Sequence, residues 1–386
     1  MQRAKQSVVL SLALYGNREA QLCTLGNVLG QTVAPLVVHY SFIGGRRIAA
    51  EARALLLGSG RGYVNPQRNR VSRLAPGILL AHLSNFEHAV KVLDTTAEMQ
   101  FVWIASNMVI VRPGLEEWVS RHSLSFCVHS TCSDWPCTID DLLRGLCARR
   151  LEESLAWPAD EARSTRLSDR VRTLGETQDD TLVRSDPWVS HFVNHLSEHP
   201  DRLYASRPVG FTTHEGSWYP RRVLQAFRQA LSGTPFEKTM LRYNDSAPRF
   251  TRCPCCDLYG VNGSSFYSTT GSCNFEELLL PTFVWQRHRD LLARSSPALA
   301  MRAWQQPKIN VTLMRAMDAV ATTVFSSSRF PQAFAIKVPH LHSPDIVAMF
   351  NATFSALAPD DACLRAHAGS SIAPGSGLLS PRRASL

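Results

Sequence analysis

The clearest hydrophobic pattern in the chain lies at residues 101–111. An apolar run at 101–104 is followed by the small or polar residues 105–107, and the apolar run resumes at 108–111. Because polar positions do not alternate with apolar ones, this pattern is typical of a strand covered on both faces. A Pro-Gly pair then ends the run. We therefore predict that 101–111 is the central strand of a mainly parallel sheet.

Shorter strand-like and helix-like segments alternate around this run. The helical segment at 78–93 is the most regular, because its apolar residues recur at three- and four-residue spacings. His82 and Asn85 flank its apolar stripe, where structural groups are more common than ligands. We predict strands at 7–15, 34–40 and 62–65 and helices at 22–29, 49–57, 78–93 and 115–121. This order predicts an α/β fold, a doubly wound, mainly parallel sheet with helices on both faces and ligands at the carboxyl ends of its strands.

The second half of the chain has fewer regular segments. Pro220 suits the first position of a helix that continues through 223–231. Another helical segment, at 275–292, contains Pro281, which is expected to end or kink it. We also expect strands within 203–213 and at 334–339, an insertion at 126–200, and disorder in the Gly-, Ser- and Pro-rich residues 366–386. We predict a single domain over residues 1–365.

Composition and charge narrow the classes of function. The chain has 386 residues, 45% of them hydrophobic, and a net charge of +9. A basic chain suits nucleic acid, an anionic membrane or a phosphorylated substrate, but here the arginines are scattered. Zinc-finger spacing, an RNA-binding aromatic motif and a basic helix are all missing from the sequence, so we expect no nucleic-acid partner. No apolar run reaches the roughly 20 residues that span a bilayer, so we expect no transmembrane segment.

The cysteines allow three interpretations. Cys253, Cys255 and Cys256 lie close together, with Cys273 nearby. The spacing Cys253-x-x-Cys256 resembles half of a zinc site, but no second pair completes four ligands. Disulfides, free thiols and metal ligation all stay open, and we predict a cross-linked or closely packed group.

Glycosylation sequons favour a secretory-pathway protein. They occur at Asn244, Asn262, Asn310 and Asn351, although chance supplies some in a chain of this length. No signal peptide or anchor is visible. The secretory pathway or Golgi and the cytoplasm therefore both stay open as compartments.

Four stretches in a fixed order carry a family resemblance. They are 81–89 (AHLSNFEHA), 101–119, 215–227 (EGSWYPRRVLQAF) and 276–285 (EELLLPTFVW). Together they resemble glycosyltransferases of the core-2/I-branching type, which are β-1,6-N-acetylglucosaminyltransferases of GT-A-like fold. The resemblance covers most of residues 7–340. It implies an inverting transfer from UDP-N-acetylglucosamine to a glycan acceptor, without the Asp-x-Asp metal motif of most GT-A enzymes.

The residues agree with metal-independent chemistry. No Asp-x-Asp follows a predicted strand, and the central strand carries Ser106 and Asn107 where a metal-dependent relative would hold carboxylates. Without a metal, positive charge must still stabilise the leaving diphosphate. The resemblance assigns that role to basic side chains near the C-terminus, for which Lys337 and then Arg329 match best; Lys337 is equally interpretable as a solvated strand-end lysine. With Asn17, Ser106 and Asn107 they form the expected nucleotide-sugar site.

The resemblance also implies a catalytic base. An inverting transfer needs a carboxylate on the acceptor hydroxyl, and in the family this is the Glu of an acidic pair that opens an apolar helix. The matching pair is Glu276-Glu277, with Thr282 at a family threonine, so Glu277 is the expected base and Glu276 an acceptor contact. The sequence departs from the family pattern at two positions: it has Glu276 where the family has Asp, and it has Pro281. The alternative is that both acids only favour a helix N-terminus.

A Gly-Ser segment matches the part of the family that lines the acceptor pocket. It is Gly216-Ser217, preceded by Glu215, the second candidate base. Gly216 would let a backbone approach the sugar closely. Trp218 and Tyr219 could stack on a sugar face, although aromatic residues at such turns are also often core anchors.

These expectations describe a metal-independent glycosyltransferase with no cofactor beyond its UDP-sugar donor. Residues 7–125 are the expected nucleotide-sugar-binding half, and residues 201–345 the acceptor and catalytic half. The competing interpretation is a non-catalytic nucleotide-sugar- or glycan-binding relative of the same fold. An open cleft that holds Glu277 or Glu215 beside Lys337 would separate the two. A third interpretation, a basic nucleic-acid-binding protein, requires a continuous positive surface.

Overall fold

The structure, a computed structural model, describes twelve stretches of the chain: residues 7–16, 18–41, 47–69, 71, 76–106, 108–110, 112–126, 212, 214–246, 275–296, 298–302 and 334–337. Several predictions fall outside them, namely the cysteine group at 253–273, the tail at 366–386, and nearly all of the segments at 126–200 and 203–213. Within the described ranges, no helix combines the length and the apolar character needed to cross a membrane.

The described elements follow the predicted alternation of strands and helices. The strands are β1 (Val8–Leu14), β2 (Leu36–Tyr40), β3 (Gly62–Val64), β4 (Gln100–Ala105), β5 (Met108–Ile110), β6 (Trp218–Pro220), β7 (Ala300–Arg302) and β8 (Ala335–Lys337). The helices are α1 (Arg18–Gln31), α2 (Ala50–Gly58), α3 (Gly77–Val92), α4 (Leu115–Arg121), α5 (Arg221–Leu231), α6 (Pro235–Ser246) and α7 (Phe275–Arg287), followed by a 3-10 helix (Arg289–Arg294).

Five strands form one mostly parallel sheet in the order β3-β2-β1-β4-β6. The first four are parallel to one another, and β6 runs antiparallel to β4. This confirms the predicted α/β class with a mainly parallel sheet. The strand order reverses between β1 and β4, because the chain moves outward through β2 and β3 before it returns to the other side of β1.

Strand β4 is an interior strand with both faces covered, as predicted. All six of its residues are buried. Phe101 and Trp103 pack in a cluster with residues of α3, α5 and α7. Val102 and Ile104 pack in a second cluster, with residues of α1, α2 and α4. Each large apolar side chain buried in this way contributes about 1.5–3 kcal/mol, which is why the pattern at 101–104 is so regular.

The prediction of one strand over 101–111 is wrong, because its two halves belong to different sheets. Strand β5 pairs antiparallel with β8, which in turn pairs parallel with β7. Side chains of α1 hold the chain where it leaves β4. Thr24 Oγ1 donates to the carbonyl of Ser106 at 3.1 Å. The Asn27 side-chain amide bonds both the N–H and the C=O of Ile110, each at 2.8 Å, and so covers the outer edge of β5.

Two prolines behave differently from the sequence prediction. Pro220 is the last residue of β6 and caps α5 in an extended conformation, rather than being the first helical residue. Pro281 lies inside α7, which continues to Arg287. A proline in a helix removes the amide that would bond the carbonyl four residues earlier, which here is the carbonyl of Glu277. That carbonyl accepts the N–H of Thr212 at 3.0 Å instead, so the helix continues at the cost of one internal bond.

Candidate functional site

The candidate site begins with a turn that is fastened to β4. Gly216 N–H donates to the carbonyl of Trp103 at 2.8 Å, and Trp103 N–H donates to the carbonyl of Ser217 at 2.7 Å. Because β6 runs antiparallel to β4, the residues before Trp218 lie towards the carboxyl end of β4. In an open α/β sheet, ligands bind at the carboxyl ends of the strands where the strand order reverses. The turn therefore stands at the edge of the sheet where a ligand site is expected.

Gly216 is required at this turn by the protein's own backbone. Its φ is +73°, and a Cβ added to it would lie 2.8 Å from the amide nitrogen of Ala300 and 2.9 Å from Cβ of Leu299. The N–H of Leu299 donates to the carbonyl of Gly216 at 2.9 Å. The close approach that the structure shows at Gly216 is thus made by the chain that enters β7. Whether a sugar also contacts Gly216 stays a prediction.

The first turn of α7 brings in two carboxylates. Glu276 and Glu277 open this helix, as the sequence predicted. The bond from Thr212 N–H to the Glu277 carbonyl ties that turn to the segment just before His214. The acidic pair and the turn at 214–217, which are far apart in the sequence, therefore meet in the fold.

His214 lies between three carboxylates. Its Nε2 is 3.3 Å from Glu215 Oε1. Its Nδ1 is 3.5 Å from Glu276 Oε1 and 3.6 Å from Glu277 Oε1. The four residues are 1–6% exposed. This arrangement brings both candidate bases, Glu215 and Glu277, onto one imidazole.

His214 was not among the site residues predicted from the sequence. Its position beside Glu215 was the only local signal, and a lone His next to a Glu is not specific. The contact that defines it, with the first turn of α7, depends on the tertiary fold. One ligand atom from each of His214, Glu215 and Glu277 lies within 4.8 Å of the other two, so these three residues could also hold a metal ion.

His82 connects α3 to the same region. Its Nδ1 is 2.8 Å from Ser11 Oγ, and its ring stacks on Trp103 with centroids 4.8 Å apart. Burial lowers the pKa of His82 well below its usual value, His214 and His39 act in the same direction, and Glu215 opposes them. His82 is therefore a neutral, fully buried group of the core beside the candidate site, in agreement with its predicted structural role.

The predicted acceptor residues next to Gly216 are part of the core. Trp218 and Tyr219 are fully buried and pack in the two different hydrophobic clusters, one on each side of the sheet. Ser217 is also buried, and its Oγ donates to the carbonyl of His214 at 2.9 Å. Burial raises the pKa of Tyr219. In this conformation, the two aromatic side chains act as the core anchors that the sequence left open as an alternative.

The predicted nucleotide-sugar residues are described only in part. Ser106 is buried at the carboxyl end of β4, while Asn17, Asn107 and Arg329 lie outside the described residues. The backbone of Lys337 ends β8 and pairs with Met108. The fold therefore brings the backbone of Lys337 next to the chain just beyond Ser106. The role of its side chain stays a prediction.

No family model matches this chain, and no curated protein matches it. The candidate site is therefore interpreted from its own chemistry.

Proposed function

We propose that the protein is an inverting glycosyltransferase that moves a sugar, N-acetylglucosamine, from a UDP-sugar donor to a carbohydrate or glycoconjugate acceptor. The fold that we propose is GT-A-like. Support comes from the ordered sequence motifs, from the mostly parallel sheet, and from the position of the candidate site at the carboxyl end of β4.

One observation carries the proposal. The two carboxylates singled out as candidate bases, Glu215 and Glu277, come from separate segments and meet at His214. An inverting transfer needs one carboxylate that removes the proton from the acceptor hydroxyl. Glu277 takes that role, because it belongs to the acidic pair that opens α7 and the bond from Thr212 fixes its main chain. Glu215 binds the acceptor hydroxyl beside it.

Positive side chains take the place of a metal at the diphosphate. Lys337, and with it Arg329, stabilises the charge that develops on the leaving UDP. The pairing of Lys337 with Met108 brings its backbone near Ser106, which is a donor contact in this proposal. Ser106, Asn17 and Asn107 contact the nucleotide sugar in this scheme, and the reaction uses no cofactor other than the donor.

A non-catalytic relative that binds a nucleotide sugar or a glycan is the second candidate. The observation that favours it is burial, since Glu215 is 1% exposed and Glu277 is 4% exposed. A base must come within about 3 Å of the hydroxyl that it deprotonates. In the conformation described, neither carboxylate stands in an open cleft, so turnover requires a conformation that admits the acceptor.

A panel of nucleotide sugars separates the two candidates. The purified protein is incubated with each donor, and donor hydrolysis and transfer to simple glycan acceptors are measured together with donor binding. Release of UDP that is lost in Glu277→Gln but kept in Glu117→Gln supports the enzyme, because Glu117 is also a first-turn glutamate but lies exposed on α4. Donor binding without any release of UDP supports the binding protein.

We propose an oxidising compartment, the secretory pathway or Golgi, for this activity. Of ten cysteines, the described residues include only Cys23, which is disulfide-bonded. Disulfides persist in secretory compartments and are rare in the cytosol. The sequon at Asn244 gives no support, because this residue is 3% exposed in α6. Peptide mapping without reduction would test the disulfide directly.

A further inference from the structure

We propose that His214, Glu215 and Glu277 form a binding site for a zinc-like divalent cation, and that the bound cation stops Glu277 from acting as a base. The binding part of this proposal stands on the geometry of the three side chains. The inhibitory part rests on the function proposed above.

The donor atoms suit zinc. An imidazole nitrogen with carboxylate oxygens is a ligand set that Zn²⁺ accepts, and three protein ligands leave its fourth position open. Mg²⁺ prefers six oxygen ligands and keeps several of its waters. The three residues are 1–6% exposed, so the site offers little room for those waters. Selection should therefore favour Zn²⁺ over Mg²⁺.

The distances are close to those of a tetrahedral site. Two ligand atoms at about 2.0–2.1 Å from a tetrahedral zinc lie about 3.3–3.4 Å from each other. His214 Nε2 and Glu215 Oε1 are already 3.3 Å apart. The ligand atoms of all three residues lie within 4.8 Å of one another. This limit exceeds the tetrahedral separation by about 1.4 Å. Turning the Glu277 side chain from His214 Nδ1 towards Nε2 would close that difference.

Glu276 occupies the position of an outer carboxylate. With the ion on His214 Nε2, the opposite nitrogen, Nδ1, faces Glu276 Oε1 at 3.5 Å and Glu277 Oε1 at 3.6 Å. A metal-bound His commonly donates its second N–H to a carboxylate, which fixes the tautomer and the ring orientation. Glu276 is therefore placed to orient the imidazole while Glu215 binds the ion beside Nε2. Glu277 becomes the third ligand when its carboxylate turns from Nδ1 towards the ion.

Main-chain bonds hold the ligands in place before any ion binds. Ser217 Oγ donates to the carbonyl of His214, and Gly216 N–H donates to Trp103 in β4. Thr212 N–H holds the carbonyl of Glu277. Ligands on such anchored segments lose little freedom on binding. Both ligand-bearing segments are thus tied to the same edge of the sheet.

Occupation of the site would inhibit transfer. A carboxylate that coordinates an ion cannot take the acceptor's proton, because its lone pairs are engaged by the metal. Zinc and the acceptor hydroxyl therefore compete for Glu277. Because the ligands must be deprotonated, zinc affinity should fall as the pH is lowered.

The test titrates the chelator-treated full chain with ZnCl₂ against a chromophoric zinc indicator. Glu215→Gln and Glu277→Gln keep side-chain size and should weaken zinc binding by more than about 100-fold, since even outer partners cost about 10–100-fold. Glu276→Gln should show that smaller loss. His288→Gln is the matched control and should leave the zinc affinity unchanged. At a rise of 1.5 Å per residue, the helix places His288 about 16 Å from Glu277.

A cobalt measurement distinguishes the proposed site from a metal site formed by cysteines. Co²⁺ bound by His and Glu lacks the intense thiolate charge-transfer absorption that a cysteine site gives. Circular dichroism first confirms that each variant folds. We expect a cobalt spectrum without thiolate absorption in the wild-type chain that disappears in Glu277→Gln.

The possible results test the metal site and the proposed transferase function independently. Absence of zinc binding, or equal affinity in the wild type, Glu215→Gln and Glu277→Gln, overturns the site. Zinc binding with the expected variant pattern but no transfer from any UDP-sugar overturns the proposed function and leaves the site in place. Transfer that continues at the wild-type rate with the site saturated overturns the inhibitory part.

Discussion

The main-chain amide of Thr212 donates to the carbonyl of Glu277 at 3.0 Å. Pro281, four residues further along α7, has no N–H to offer that carbonyl, so no helical bond competes with Thr212 for it. A proline inside a helix thus leaves a carbonyl open to another segment of the fold. The segment before His214 uses it, and the candidate base is held through its own backbone.

Replacing Pro281 should loosen the site more than the fold. Pro281→Ala returns an amide that competes with Thr212 for the Glu277 carbonyl. We expect faster hydrogen exchange at the Thr212 amide and turnover reduced by up to about 100-fold, the cost of a small misplacement of catalytic groups. Hydrogen-exchange mass spectrometry and donor-turnover assays measure both. A protected Thr212 amide with wild-type turnover would contradict this role for Pro281.

Glu277→Gln should abolish most turnover without affecting donor binding. Loss of a general base costs about 10²–10⁴ in rate, whereas the donor is held by other residues. Glu215→Gln should lower turnover less and acceptor affinity more. The measurements are kcat, KM for the acceptor and the Kd of the UDP-sugar. A fully active Glu277→Gln with an inactive Glu215→Gln would reverse the two roles.

Chelation should not reduce transfer. Because basic side chains are proposed to stabilise the leaving diphosphate, EDTA should leave the rate unchanged, or raise it if zinc occupies His214, Glu215 and Glu277. Initial rates with EDTA, and after addition of Mn²⁺, provide the measurement. Activity that EDTA abolishes and Mn²⁺ restores would show that the chemistry depends on a metal.

Gly216→Ala should destabilise the fold by more than backbone strain alone. A residue with a side chain at a φ of +73° costs about 1–3 kcal/mol, and the added Cβ would also meet Leu299 and Ala300. Gly233 is the matched control, because its φ is +74° and a Cβ there meets no atom within 4 Å. Denaturant unfolding of both variants should show a larger loss of stability for Gly216→Ala. Equal losses would mean that strand β7 adjusts without cost.

Stability should fall in mild acid because of His39. Burial lowers the pKa of His39 to about 4, and its Nε2 accepts the N–H of Asn69 at 2.8 Å. His39 is therefore protonated more easily in the unfolded chain than in the folded one. The contribution of neutral His39 to folding stability is complete above about pH 6.5, and it is lost as the pH falls through about 4. The loss is at most about 3 kcal/mol.

His39→Gln isolates that contribution. The glutamine keeps an acceptor for Asn69 and does not titrate. Unfolding free energies measured between pH 7 and pH 4 should therefore fall less steeply in His39→Gln than in the wild type. Parallel pH profiles for the two proteins would show that His39 does not govern acid sensitivity.

Local sequence signals predicted the parallel sheet well. They did not predict that β4 ends at residue 105 and that β5 belongs to a second sheet. Strand β4 was predictable because two-sided burial requires apolar residues at every position of 101–104. The separation of β5 from β4 was not predicted, because the apolar pattern resumes at 108–110 after only three small or polar residues, 105–107. What separates them are contacts from Asn27 and Thr24 of α1 and the pairing of β5 with β8. None of these leaves a local signal in the run itself.

The candidate site was predictable to a similar extent. Glu215 and Glu277 were identified through the family resemblance, and the structure brings them together. His214 was missed because its role comes from contacts with Glu276 and Glu277, which no spacing rule connects to it. The burial of Trp218 and Tyr219 depends on helices that pack on both faces of β6, which the three-residue strand does not reveal.

The pairing of Met108 with Lys337 has a consequence for the order in which the protein can mature. A ribosome delivers β1 to β5 long before β8 exists. Domains assemble as the chain emerges from its N-terminal end, and pairings between distant residues form slowly. The nascent chain can therefore build much of the parallel sheet early, while β5 and β7 wait for β8, the strand with which both pair. A product that terminates before residue 334 would keep the carboxylates of Glu215 and Glu277 but lack Lys337.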